Sequence, residues 1–289
     1  MRKNKVDTMR EIQAREIVRV VSKLCQEANF FLGEDVILAL KHAQEVEESA
    51  LGRWALQQIL QNEEIARKER IPLCQDCGST VVFVEMGQGT YVTGGNLHDA
   101  INEGVRQGYS EGYLRKSIVK HPFSLRQNTG DNTPAVVHVD VVSGDEFRIV
   151  VMPKGGGAEN MSRFRALNPS QGHQGVTDFV VSSVDEAEAN PCPPVIIGVG
   201  IGGTAEQTMM LAKKALLRRV GRHNQDTEIA ALEREILHKV NNLGIGPMGY
   251  GGRVTALAVH VEVFPSHIAS LPVAVNLQCH SARHKEAFL

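Results

Sequence analysis

A chain of 289 residues, 42% hydrophobic and 22% charged with a formal net charge of −2, has ordinary globular composition and excludes disorder. Lysine and arginine are scattered, so no electrostatic footprint for nucleic acid exists and no nucleic-acid partner is expected. No apolar run is long enough to cross a bilayer and the charged N-terminus leads into an amphipathic pattern rather than a signal-peptide core; no membrane partner and a cytoplasmic location are expected.

Residues 1–70 read as a helical segment. Ile17, Val20, Val21, Leu24 and Ala28 recur at helical spacing, as do Leu51, Ala55 and Ile59, with Gly33-Glu34-Asp35 a stop and fresh start and Pro72 the end. Thr80–Met86 predicts a strand, and Leu97–Gln107 a helix capped by Asn96. The β-rich runs 136–142 and 147–152, separated by Ser143-Gly144-Asp145, predict a hairpin. Gly155, Gly156 and Gly157 predict a loop that no regular element would tolerate. A helix then runs from about Val176 to Ala187, followed by a buried strand over 195–199, a glycine turn and helices over 205–217 and 229–240. Alternation at Thr255–Val263 and Val273–Leu277 predicts two closing strands. The fold class expected is mixed α/β (α+β): a helical N-terminal segment, then a body of sheets packed with helices, with 1–289 forming one domain.

The five cysteines are an odd number and do not suggest a disulfide framework; in a reducing compartment they are core filler, metal ligands or nucleophiles. Cys25 lies next to the apolar face of the first helix and reads as a buried, inert thiol. Cys74-Gln75-Asp76-Cys77-Gly78 is a CxxC before a strand. A zinc site wants a second CxxC or paired histidines, and a redox pair wants a helix to follow; neither is found. Three prolines around Cys192 fix a rigid mount, and Cys279 ends a strand; each sulfur reads equally as a buried thiol or a ligand. Gly198-Val199-Gly200-Ile201-Gly202-Gly203 fits GxGxxG and raises a dinucleotide-binding oxidoreductase as an alternative. A second strand with an acidic residue about 20 residues on is missing, however, so no βαβ unit is expected. Gln127–Thr133 reads in isolation as a solvated loop. Lys154 and the glycines after it read as a place where a backbone approaches a ligand and a lysine meets a carboxylate.

Taken in order, CQD-x-G, NTGDNTP, PKGGGAENMS, NPCPP-VIIGVGIGGT, LGIGP-x-G and HIASLPVAVNLQCH resemble the class I fumarase and L-tartrate dehydratase family, from about residue 10 to Cys279 or beyond. The chain is similar to the α subunit, equivalent to the N-terminal domain of the single-chain enzymes. That resemblance implies a hydro-lyase with a 4Fe–4S cluster held by Cys74, Cys192 and Cys279, one iron remaining open to a small dicarboxylate. Cys77 departs from the pattern, where threonine is common, and position favours Cys74 as the ligand. The resemblance implies Asp76 as the proton-transfer group, whose plainer reading is a turn-capping carboxylate. It implies Gln75, Arg115, Gly156 and His267 as substrate contacts. The sequence ends ten residues after Cys279, where single-chain members continue; a separate β subunit and an α2β2 assembly are therefore expected. The GGGAENMS and HIASLP segments look more like fumarase, so hydration of fumarate to (S)-malate is expected, with L-tartrate dehydration as the alternative.

Overall fold

A computed structural model describes residues 9–289; the first eight residues of the expected helical segment lie outside the described residues. Along the chain run β1 (Arg10–Gln13), α1 (Ala14–Phe30), α2 (Glu34–Val46), α3 (Ala50–Glu69), β2 (Ser79–Gly87), β3 (Thr90–Thr93), α4 (Leu97–Glu111), β4 (Val136–Val142) and β5 (Phe147–Lys154). They are followed by α5 (Gly156–Glu159), β6 (Arg163–Leu167), α6 (Gly172–Ala187), β7 (Val195–Gly202), α7 (Ala205–Ala215), α8 (Thr227–Asn241), β8 (Ala256–Phe264), β9 (Leu271–Gln278) and β10 (Lys285–Phe288). The class is mixed α/β, as expected. The contacts divide the chain into two compact units: residues to Phe31 with Ile65–Lys154 and Arg283–Leu289, and Leu32–Glu64 with Gly155–Ala282.

The first unit forms because α1 has one apolar stripe. Ile17, Val21, Leu24 and Cys25 are buried against Val105 and Tyr109 of α4 and the apolar face of the sheet. Burying each aliphatic side chain contributes about 1.5–3 kcal/mol. Asn96 caps α4 as expected, accepting from the His98 and Asp99 N–H groups. Helix does not fill the N-terminal segment: β1 precedes α1 and pairs in parallel with β3, burying Ile12.

The sheet of this unit runs β10-β5-β2-β4. The expected hairpin of β4 with β5 is therefore corrected. β2 stands between them, parallel to β4 and antiparallel to β5. Val81, Val82, Phe83 and Val84 are consecutive and all buried, which demands cover on both faces and a central place. β4 is mostly exposed and suits an edge.

In the second unit the order is β6-β9-β7-β8. Val195, Ile197 and Val199 of β7 join a core with α6 and α8, while Gly198 and Gly200 face α7. A Cβ on either glycine would lie 2.1 Å from a carbonyl oxygen of α7, Ala212 and Thr208 respectively. Two glycines of GxGxxG thus let a helix press onto the strand. The expectation of no βαβ unit is also corrected: β7 and β8 are parallel neighbours, joined through both α7 and α8. The three glycines after Lys154 are not a loop; Gly155 leads into α5, a single helical turn. Among the described residues no helix is long and apolar enough to cross a membrane.

Candidate functional site

The CQDCG segment is a turn whose inner side is its carbonyl side. Arg283 Nη1 donates to the Asp76 carbonyl, Tyr109 Oη to that of Cys77 at 2.6 Å, and Asn132 Nδ2 to that of Gly78 at 3.1 Å. Gly78 sits at φ +74°, with its Cα so close to Lys154 that a Cβ would lie 2.7 Å from that residue's backbone. With the carbonyls held inward, the side chains of Cys74, Gln75 and Asp76 reach the surface to different degrees; Gln75 is exposed and Cys74 and Asp76 half-buried. Asp76 Oδ1 accepts from the Gly78 N–H at 2.9 Å, so the turn-capping role is present. Cys74 Sγ lies 3.3 Å from Gln75 Oε1.

Cys77 points the other way. It is 1% exposed, belongs to the hydrophobic core, and its sulfur accepts the Arg115 N–H at 3.2 Å. Burial pushes its thiol up. Cys25 is sealed more completely, with a thiol pushed up to about 12 by burial. Through the Cys77 sulfur the backbone of Arg115 is tied to the turn, and the Arg115 side chain is exposed.

The second unit assembles a different group. Cys192 follows Pro191 at φ +55°, a conformation a non-glycine residue rarely adopts, and its N–H donates to the Ala189 carbonyl at 3.0 Å. Its own carbonyl accepts from both the His280 N–H and His280 Nδ1, the latter at 3.0 Å. Cys279, one residue earlier, is thereby brought to the Cys192 turn. Met248 N–H donates to Pro193 at 2.8 Å, so the LGIGP-x-G loop backs the same turn. A Cβ on Gly157 would lie 3.0 Å from the Asn190 carbonyl, which brings α5 against it as well; Gly156 is exposed at the start of α5. Both cysteines are half-buried.

His267 is not brought to this group. It lies in the turn between β8 and β9, whereas Cys279 follows the last residue of β9, about 25 Å away along the strand. His267 is exposed, and its Nδ1 accepts from the Ala269 N–H at 3.1 Å.

Several supporting residues were not legible in the sequence. Arg283, Tyr109 and Asn29 carry no local motif, and their partners are distant along the chain. Asn132 corrects the solvated-loop reading of 127–133: it is 0% exposed and accepts the Ser117 N–H at 2.7 Å. In the same loop, burial raises the Asp131 carboxyl, but hydrogen bonds from Thr133, Arg106 and Thr129 outweigh it and hold it at about 2. Glu47 is buried under the LGIGP-x-G loop, where its carboxylate accepts the N–H groups of Ser49, Arg253 and Val254.

Among the described residues, no three His, Cys, Asp or Glu side chains converge closely enough to hold a single metal ion. Thiolates are the donors that iron–sulfur groups take, one to each iron they ligate. Cys25 and Cys77 are sealed in the core, whereas Cys74 in its turn, Cys192 on a strained backbone and Cys279 just past β9 are half-buried.

A family described as Fumarate hydratase (Fumerase) matches residues 18–288. A protein of Methanocaldococcus jannaschii named "Putative L(+)-tartrate dehydratase subunit alpha" is 42% identical over 273 residues, 93% of this chain and 95% of that protein. The proteins named L(+)-tartrate dehydratase subunit alpha in Escherichia coli K12 and Shigella sonnei are each 30% identical over 270 residues, 93% of this chain and 89% of theirs.

Proposed function

The chain belongs to the fumarate hydratase (Fumerase) family of hydro-lyases, and from that premise we propose that it is the α subunit of a two-subunit fumarate hydratase interconverting fumarate and (S)-malate. The observation that carries the reading is the sorting of the five cysteines into two sealed thiols and three accessible ones. Cys74, Cys192 and Cys279 would hold a 4Fe–4S cluster; Cys77, turned into the core, is a structural thiol. Three thiolates leave one iron open, and when bound the cluster supplies a Lewis acid for the substrate hydroxyl and an adjacent carboxylate.

The remaining chemistry belongs to the chain's own side chains. Asp76 moves the proton at the carbon α to the second carboxylate, from a carboxyl oriented by the Gly78 N–H. Arg115 clamps a carboxylate through its planar fork, and Gln75 donates to the same substrate. Gly156, exposed and without a side chain, lets the substrate approach the backbone of α5. His267 joins this set only from a second copy of the chain, because its own β9 carries it away from Cys279. That requirement agrees with an α2β2 assembly, and the relatives' designation as subunit alpha supports a separate β subunit. A reducing, cytoplasmic compartment belongs to the same reading, since three accessible thiols stay unoxidised there.

A second reading, L-tartrate dehydration, is favoured by the names of the relatives at 42% and 30% identity. The deciding experiment is anaerobic co-purification of α with its β subunit, iron and sulfide analysis, and assays on malate and tartrate. Fumarate hydratase predicts iron-replete protein that turns over malate. Tartrate turnover without malate turnover selects the second reading, and protein that stays iron-free after reconstitution sinks both.

A further inference from the structure

Arg283 heads the largest fully buried side chains of the described residues, at 1% exposure. Its Nη1 donates to Asn29 Oδ1 at 3.1 Å and to the Asp76 carbonyl. Its Nε is buried with no hydrogen-bond partner, and among the described residues no carboxylate stands within ion-pair distance of it. A guanidinium does not shed its proton, so the charge persists inside the protein. Burying such a charge against neutral oxygens alone is strongly unfavourable unless an opposite charge is brought to it.

The neutral partners show where that opposite charge belongs. One is the carbonyl of Asp76, in the middle of the turn that presents Cys74, Gln75 and Asp76 outward. The other, Asn29, donates to Cys25 O at 2.8 Å and accepts the Leu73 N–H through its carbonyl at 2.9 Å, which fixes the approach to the same turn. Arg283 therefore lies beneath the turn, tied to it by one rigid atom.

We propose that Arg283 is a positioning residue of the Cys74–Gly78 turn, which both fixes the Asp76 backbone and sets a permanent positive charge under a turn that carries an anionic thiolate-bound iron group. The inference rests on the assignment of Cys74 as a cluster ligand. Two separable functions follow. The charge favours retention of the anionic group; the hydrogen bond from Nη1, held in the guanidinium plane, fixes the geometry of Asp76 and hence proton transfer.

The test uses α co-expressed with β, reconstituted anaerobically and challenged with a chelator while visible absorbance and released iron are followed. Arg283→Gln keeps a donor and removes the charge, and is expected to lose iron about tenfold faster than the parent. Arg283→Lys keeps the charge without the planar guanidinium that places Nη1, and is expected to release iron within about fivefold of the parent rate, with kcat lowered and KM unchanged. A merely structural arginine would leave no such split between the two variants. Gln and Lys variants that lose iron equally fast, or a Gln variant that retains it like the parent, overturn the proposal. Should Arg283→Gln fail to accumulate, the Lys variant decides alone: release slower than about fivefold supports the proposal and faster release overturns it. A parent protein that holds no iron overturns instead the assignment beneath it, so the two failures are told apart.

Discussion

Two cysteines three positions apart differ in everything that decides reactivity. Cys77 Sγ is enclosed and accepts a backbone N–H, whereas Cys74 is half-buried on the outer side of the turn. Cys74→Ser is expected to abolish iron retention without unfolding the chain, as read by iron analysis and circular dichroism. Cys77→Ser is expected to keep iron and lower stability by about 1–3 kcal/mol in denaturant titration, because a smaller, more polar group enters an apolar site. Asp76→Asn tests proton transfer separately: iron content unchanged and kcat reduced at least about a hundredfold, measured on malate with the β subunit present. A protein that loses its iron on this change would assign Asp76 to holding the turn rather than to the reaction.

Among the elements, β7 and α7 approach so closely that two strand glycines leave no room for a Cβ. Gly200→Ala drives a Cβ into the Thr208 carbonyl, and a cost of about 3 kcal/mol in unfolding free energy is expected. Gly144→Ala, at φ +96° in open space, meets no neighbour and is expected to cost only about 1 kcal/mol of backbone strain. On the neighbouring strand β8, His260 is 1% exposed, with Nδ1 3.1 Å from the Ala215 carbonyl. Burial, then the Arg218 charge, bring its imidazole from 6.5 down to about 4. The folded state therefore binds fewer protons than the unfolded chain between those values. Stability from this group is present above about 6.5 and is lost as pH falls towards 4. His260→Gln is expected to flatten that part of the stability profile, measured by chemical denaturation at several pH values.

At the scale of the whole molecule, the α chain alone is expected to bind iron but show no turnover of malate, with activity appearing on titration of the β subunit. Measurable turnover by α alone would show that its own side chains complete the clamp. Much of the framework was readable from local pattern. The α1 stripe at Ile17, Val21 and Leu24 and the Asn96 cap of α4 depend on neighbours within a few residues, and the structure places them as periodicity requires. The β4–β5 hairpin was misread because a turn signal cannot reveal that a third strand, β2, inserts between two runs. Glu47 and Arg253 are 206 residues apart, and Arg283 is 207 from Asp76, distances over which no spacing rule operates. The five cysteines express the same division. Sequence by itself determined the secondary-structure framework and, through the order of its motifs, the hydro-lyase family. Only the tertiary structure decided which sulfurs face the core and which the surface, because burial is a property of what packs around an atom, and the CxxC spacing is blind to that.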